Sequence, residues 1–411
     1  MDWRVFFSDL NMVWTTLGLA TAGLATAFMV GRWWGRRSVS PLREIAYERD
    51  EELAAKNREI AELNRRLRET VPDPGPQALQ QDEGLPPPSV QVWLKPVNPQ
   101  DAALASMQGR LPCLLIANLK GGVGKTMVAA NIAAYFSNRS DYPLTQGLTN
   151  KRVLLIDLDY QGSLSGLVLT AMRAVPEHPN SQVKTLFDPT ISDEDAANYR
   201  VRPTGQRPNL SLYPATYGFD DLETREQFRW LAGSTDDDVR FRLLKRLRSP
   251  AFLNLFDLVI IDTGPRLTTG SVGALAAATH MIIPTAPNRR DVEAAERFMR
   301  RVSVLKHGGV CSGINVIGAV ATLTRGGVRG VESANAAKQM LQTAVDNDPD
   351  LQRLVAPRFV KQVFLGSQMP LSQPIVDQSD GGLPYLATTA SRTIFGDIGA
   401  EIEQRMSNAD P

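Results

Sequence analysis

A chain of 411 residues is long enough for one large domain with accessory segments, or for two medium domains. Its 43% hydrophobic and 22% charged content excludes a disordered chain and a protein built mainly of membrane spans. A net charge of +1 is too small to coat nucleic acid by bulk charge, while two distant cysteines (Cys113, Cys311) and three histidines offer no disulfide framework, no zinc spacing and little for His-based catalysis.

The first element is apolar. Leu10 to Gly31 is a run of 22 residues without a charge. As a helix it would be about 33 Å long, enough to cross a hydrocarbon core of about 30 Å. Arg32, Arg36 and Arg37 follow it, so the positive-inside rule puts the rest of the chain in the cytoplasm. Residues 1–37 therefore read as a transmembrane anchor with its span at about 10–31, in preference to a cleaved signal peptide, whose basic residues would precede the apolar run. Between Leu42 and Glu69, 15 of 28 residues are charged and neither Pro nor Gly interrupts, which predicts a charged helix. Leu42, Ala46, Leu53, Ile60, Leu63 and Leu67 fit one heptad frame, but Arg49 and Lys56 fall in its seam, so a short coiled coil and a solvated stalk both remain open. Eight prolines between residues 71 and 99 then predict an extended spacer over 70–100, with a folded domain from 101 to 411.

Leu111 to Leu119 is an apolar run read as a strand, and a helical stretch begins near Met127. Between them lies Lys120-Gly121-Gly122-Val123-Gly124-Lys125-Thr126, the setting of a phosphate-binding loop. Loop N–H groups of Gly121, Gly122, Val123 and Gly124 would close around phosphates, Lys125 would reach the β and γ oxygens, and the Thr126 hydroxyl would ligate Mg²⁺. Lys151 to Asp159 reads as a buried strand ending in two acids, Asp157 and Asp159, and Phe256 to Pro265 as another ending in Asp262. Shorter strands follow at His280 to Thr285 and Ile314 to Thr322, with an amphipathic helix from Val292. Strands alternating with helices predict an α/β fold with a doubly wound, mostly parallel sheet and the ligand at the carboxyl ends of its strands.

The glycine expected at the head of a strict P-loop is replaced by Leu119, and Lys120 stands next to it. This KGGVGKT loop, with the acid-ended strands, resembles the deviant P-loop of ParA/MinD-type ATPases over roughly residues 110–405. The resemblance implies an ATP- and Mg²⁺-dependent ATPase that forms a homodimer around ATP, with Lys120 contacting the nucleotide of the facing subunit. It implies Lys120, Lys125 and Asp159 as catalytic, Asp159 orienting or activating the attacking water. It implies Thr126, Asp157 and Asp262 at the metal, and Gly121 to Met127 around the nucleotide. Tyr160 stands where the family has proline, and Met127 where it commonly has a second threonine that contacts the α-phosphate. Gly382-Leu383-Pro384 is similar to the family's closing element. Residues 170–250 match poorly and read as a family-specific insertion.

Two partners follow from the same reading: a protein that engages the ATP-bound dimer, and the membrane, which places the anchored chain in the bacterial inner (cytoplasmic) membrane. DNA is raised by the basic cluster Arg240, Arg242, Lys245, Arg246 and Arg248. Those residues share a helix with Val239, Leu243, Leu244 and Leu247, so a solvated face on a packed helix is the preferred reading. Two alternatives stand beside the switch. One is a nucleotide-binding scaffold with little hydrolysis. The other is a tyrosine autokinase of the polysaccharide-export type, disfavoured because Tyr385 is the only tyrosine in the last hundred residues.

Overall fold

The computed structural model describes residues 86–107, 111–142, 148–203, 209–216, 218–325, 328–371 and 383–409. The expected span and the charged helix lie outside them, as does Gly382. Among the described residues no helix is long and apolar enough to cross a membrane.

Seven parallel strands form one sheet: β1 (Cys113–Ile116), β2 (Val153–Asp157), β3 (Leu210–Tyr213), β4 (Leu258–Asp262), β5 (His280–Thr285), β6 (Asn315–Thr324) and β7 (Phe364–Pro370). Their order, β3-β2-β4-β1-β5-β6-β7, is that of a doubly wound sheet in which the chain departs in opposite directions from β1, as the alternation of strands and helices predicts. Every residue of β1, β2 and β4 is buried, which accounts for the unbroken apolar runs in the sequence. Alternate side chains still serve opposite faces. Cys113 and Leu115 join one apolar layer under helices Thr269–Ala277 and Arg289–His307, whereas Leu114 and Ile116 join the other, under helices Lys125–Ser137 and Thr389–Ala409.

Register then fixes the functional end. Ile116 pairs with Asp262, and Asp157 with the same Asp262, so the last residues of β1, β2 and β4 stand at one level. The loops that leave them are neighbours for that reason alone.

Three features differ from the sequence reading. The segment read as the end of the spacer folds onto the domain: Pro88–Gln91 is a helical turn, and Val90 and Trp93 are buried in the core. Apolar side chains within a proline-rich stretch hold it there, and the compact unit begins at Pro86. The region 170–250 is more than an insertion, because it supplies β3, the strand that pairs with β2 at the sheet edge.

The basic cluster, finally, is not a solvated face. Arg240 is 0% exposed. It pairs with Asp238, donates to the carbonyls of Trp93 and Lys95 at 2.7 Å each, and lies 4.8 Å above the Trp230 ring. Arg242 pairs with Glu226 (2.9 Å) and Asp237, Arg246 with Asp193 (2.6 Å), and Lys245 with Asp101 (3.0 Å). Acids just before the cluster, Asp237 and Asp238, and from other segments, Asp101, Asp193 and Glu226, neutralise these cations. A buried, paired guanidinium is unavailable to a DNA phosphate.

Candidate functional site

The loop after β1 is braced before any ligand arrives. Asn118 is buried; its amide nitrogen donates to the Pro284 carbonyl at 2.9 Å, and its oxygen accepts the Lys120 N–H at 3.0 Å. Thr322, near the end of β6, donates to the Val123 carbonyl at 2.8 Å. Gly124 has φ of 77°, a left-handed conformation that favours glycine, and a Cβ there would crowd only the flexible end of the Met369 side chain at 2.8 Å. Helix Lys125–Ser137 starts immediately afterwards and points its free amides at the loop.

Within this cradle Lys125 is buried, and its ammonium donates to the Lys120 carbonyl at 3.0 Å. Burial lowers its pKa, against the pull of Asp262 and Asp159. Gly121 and Gly122 are exposed, Val123 is buried, and Thr126 and Met127 are half-buried at the helix start. The Lys120 side chain is exposed and makes no hydrogen bond or ion pair with the described residues, so it faces away from its own core.

The three carboxylates have different surroundings. Thr126 donates its hydroxyl to Asp262 Oδ2 at 2.8 Å, while Asp262 Oδ1 is buried without a hydrogen-bond partner. Burial, reinforced by the charge of Asp157, holds the Asp262 pKa well above the ordinary carboxylate value. A buried, half-satisfied acid beside a hydroxyl is costly unless a cation or water completes it. Among the described residues no cluster of three His, Cys, Asp or Glu side chains could hold an ion alone. One acid and one hydroxyl beside a phosphate cradle instead fit Mg²⁺, which keeps waters and takes phosphate oxygens as ligands.

Asp157, expected at the metal, has protein partners on both of its oxygens. Its Oδ2 accepts the Ser165 amide (2.9 Å) and hydroxyl (2.6 Å), and its Oδ1 accepts the Asp159 amide (3.0 Å). It therefore fastens the first turn of helix Ser163–Met172 and the loop before it. Burial raises its pKa to about 6, with the Ser165 bonds opposing.

Asp159 is half-buried, and its Oδ1 accepts only the Gln161 amide at 3.1 Å. A Cβ on Gly264 would lie 3.5 Å from that oxygen, so the loops after β2 and β4 touch at Asp159. The structure thus brings Lys125, Thr126, Asp159 and Asp262 together around one cleft, with Asp157 behind them. Sequence reasoning missed Asn118, Thr322 and Glu223. The first two are polar residues at strand ends, a signal any helix cap or turn shares. Glu223 gives no motif at all.

The chain is similar to known proteins in sequence and in fold. Residues 112–310 match the AAA domain family. The chain is similar to ParA-type P-loop ATPases. It is 29% identical over 201 residues to the chromosome partitioning protein ParA of Myxococcus xanthus, covering 49% of this chain and 60% of that one. With the sporulation initiation inhibitor protein Soj of Bacillus subtilis it shares 28% identity over 194 residues, 47% of this chain and 65% of that one. The match spans 45% and 48% of the length of two further relatives, about half of each. The ATP complex of a Cyanothece McdA variant superposes with a TM-score of 0.54 at 20% identity, covering 72% of this chain and 98% of McdA, which shows a shared fold.

Proposed function

We propose that this protein is a membrane-anchored switch ATPase that binds ATP and Mg²⁺, dimerises around the nucleotide and recruits or positions a partner. The observation that carries the reading is the Thr126–Asp262 hydrogen bond, with Asp262 Oδ1 unpartnered beside a braced, glycine-rich loop and a buried lysine. On nucleotide binding the Lys125 ammonium exchanges the Lys120 carbonyl for phosphate oxygens. Thr126 and Asp262 would be the residues that hold Mg²⁺. Mg²⁺ supplies positive charge where the γ-phosphate oxygens gain negative charge in the transition state. Asp159 is placed to orient the attacking water. Exposed Lys120 reaches the nucleotide of a facing copy, and hydrolysis then removes the bridge between the copies.

The names of these relatives, a chromosome partitioning protein and a sporulation initiation inhibitor, suggest partitioning or regulation as the process. The apolar run 10–31 would fix the site of action at the inner membrane. Phosphotransfer to a C-terminal tyrosine is disfavoured, because Tyr385 is 1% exposed with its ring against Tyr135. The test is phosphate release by the full-length protein against Asp159→Ala. Loss of release with ATP binding retained supports the switch, whereas equal, negligible release from both leaves only a nucleotide-binding scaffold.

A further inference from the structure

Glu223 lies on helix Phe219–Leu231 and is 4% exposed. Its Oε2 accepts the Tyr160 hydroxyl; its Oε1 accepts the Thr268 hydroxyl at 3.0 Å and the Gly270 amide. Phe219, one turn earlier on the same helix, packs edge-on against the Tyr160 ring with centroids 6.0 Å apart. The carboxylate meets the first turn of helix Thr269–Ala277, where free amides favour a negative group. Its approach needs a glycine, since a Cβ at position 270 would fall 2.6 Å from Glu223 Oε1.

Tyr160 follows Asp159, and Thr268 closes the loop that leaves Asp262. The Asp159 carboxylate accepts only one hydrogen bond, from the neighbouring Gln161 amide, so its position depends on how its loop is held. Asp157 holds that loop from the strand side, and the Tyr160 hydroxyl is the tie on the outer side.

We infer that Glu223 is a positioning residue for hydrolysis: it fastens the loop bearing Asp159 to the loop leaving Asp262, so that the two carboxylates keep one spacing across the cleft. The role rests on Asp159 orienting water, as proposed above. Displacement of a catalytic group by about 1 Å costs up to about 100-fold in rate. Because the clasp lies outside the phosphate cradle, its loss falls on kcat and leaves nucleotide affinity alone.

The test uses the full-length protein as wild type, Tyr160→Phe, Glu223→Ala, their double variant and Glu223→Gln. Steady-state phosphate release is read alongside hydrogen exchange of peptides covering 158–168 and 263–270. Tyr160→Phe is expected to lower kcat about 10-fold with KM for ATP within about twofold, and to speed exchange in both loops. The double variant should be no slower than Glu223→Ala, as expected of one shared interaction. Glu223→Gln should keep most of the rate, because its amide group can still face the tyrosine hydroxyl. Unchanged kcat and exchange in Tyr160→Phe, with normal wild-type turnover, overturns the clasp alone. Tyr160→Phe is the milder change and decides the matter should Glu223→Ala misfold. A wild type no faster than Asp159→Ala overturns the hydrolytic reading itself, and this role with it.

Discussion

Glu223→Gln should change how stability depends on pH. Burial raises the Glu223 pKa from its ordinary 4.5 to about 7, with the Gly270 and Thr268 hydrogen bonds opposing. The folded chain therefore holds this proton more tightly than the unfolded one. Stability from this group is full below the unfolded pKa and is lost as the pH climbs through about 7. Each tenfold in proton affinity is worth about 1.4 kcal/mol, so ionising Glu223 in place costs about 3 kcal/mol as an upper figure. Glutamine keeps the acceptor for Thr268 and Gly270 and cannot ionise. Below pH 4.5 the two proteins should melt alike; at pH 8 the variant should be more stable by up to about 3 kcal/mol. For the unit Pro86–Pro411, about 2.1 cal/mol/K per residue at the midpoint makes that about 4 °C. Thermal melts of both proteins, apo, from pH 4.5 to 8.5 give the difference curve. Asp157 and Asp262 titrate in both proteins and cancel. A flat difference curve, or a variant less stable at every pH, would refute the reasoning.

Other outcomes follow from the same geometry. Asp262→Asn should abolish Mg²⁺-dependent ATP binding while raising the apo melting temperature at neutral pH, because burial makes the native carboxylate costly to ionise; calorimetry and melts read the two effects separately. Thr126→Val should leave the fold intact and remove the Mg²⁺ dependence of nucleotide affinity, measured with and without chelator. Arg240→Met should cost about 3–5 kcal/mol, since it leaves Asp238 uncompensated and the Trp93 and Lys95 carbonyls without a donor. Limited proteolysis should then cut between residues 88 and 98.

The sheet was legible where strands are buried on both faces, because β1, β2 and β4 carry uninterrupted apolar runs that end in the chemistry. β3 escaped because Leu210–Tyr213 is only four residues with a serine among them, and its strand character comes from pairing with β2. The phosphate loop was legible from local spacing, since glycines and lysines act within a few residues of one another. The basic helix was misread because Asp101, Asp193 and Glu226, brought by other segments, join the nearby Asp237 and Asp238 as its counter-charges. Asp157 and Asp159 look equivalent in the chain. Only their surroundings separate an acid hydrogen-bonded to Ser165 from one that accepts only the Gln161 amide.

The central claim is that two copies close around ATP with Lys120 reaching across. Sedimentation velocity of the full-length protein in detergent, with and without ATP and Mg²⁺, tests it most directly when run on wild type, Asp159→Ala and Lys120→Ala. The account predicts an ATP-dependent doubling of mass for wild type, a longer-lived dimer for Asp159→Ala, and an ATP-binding monomer for Lys120→Ala. Wild type that binds ATP and stays monomeric, or a Lys120→Ala variant that dimerises as readily, would contradict it.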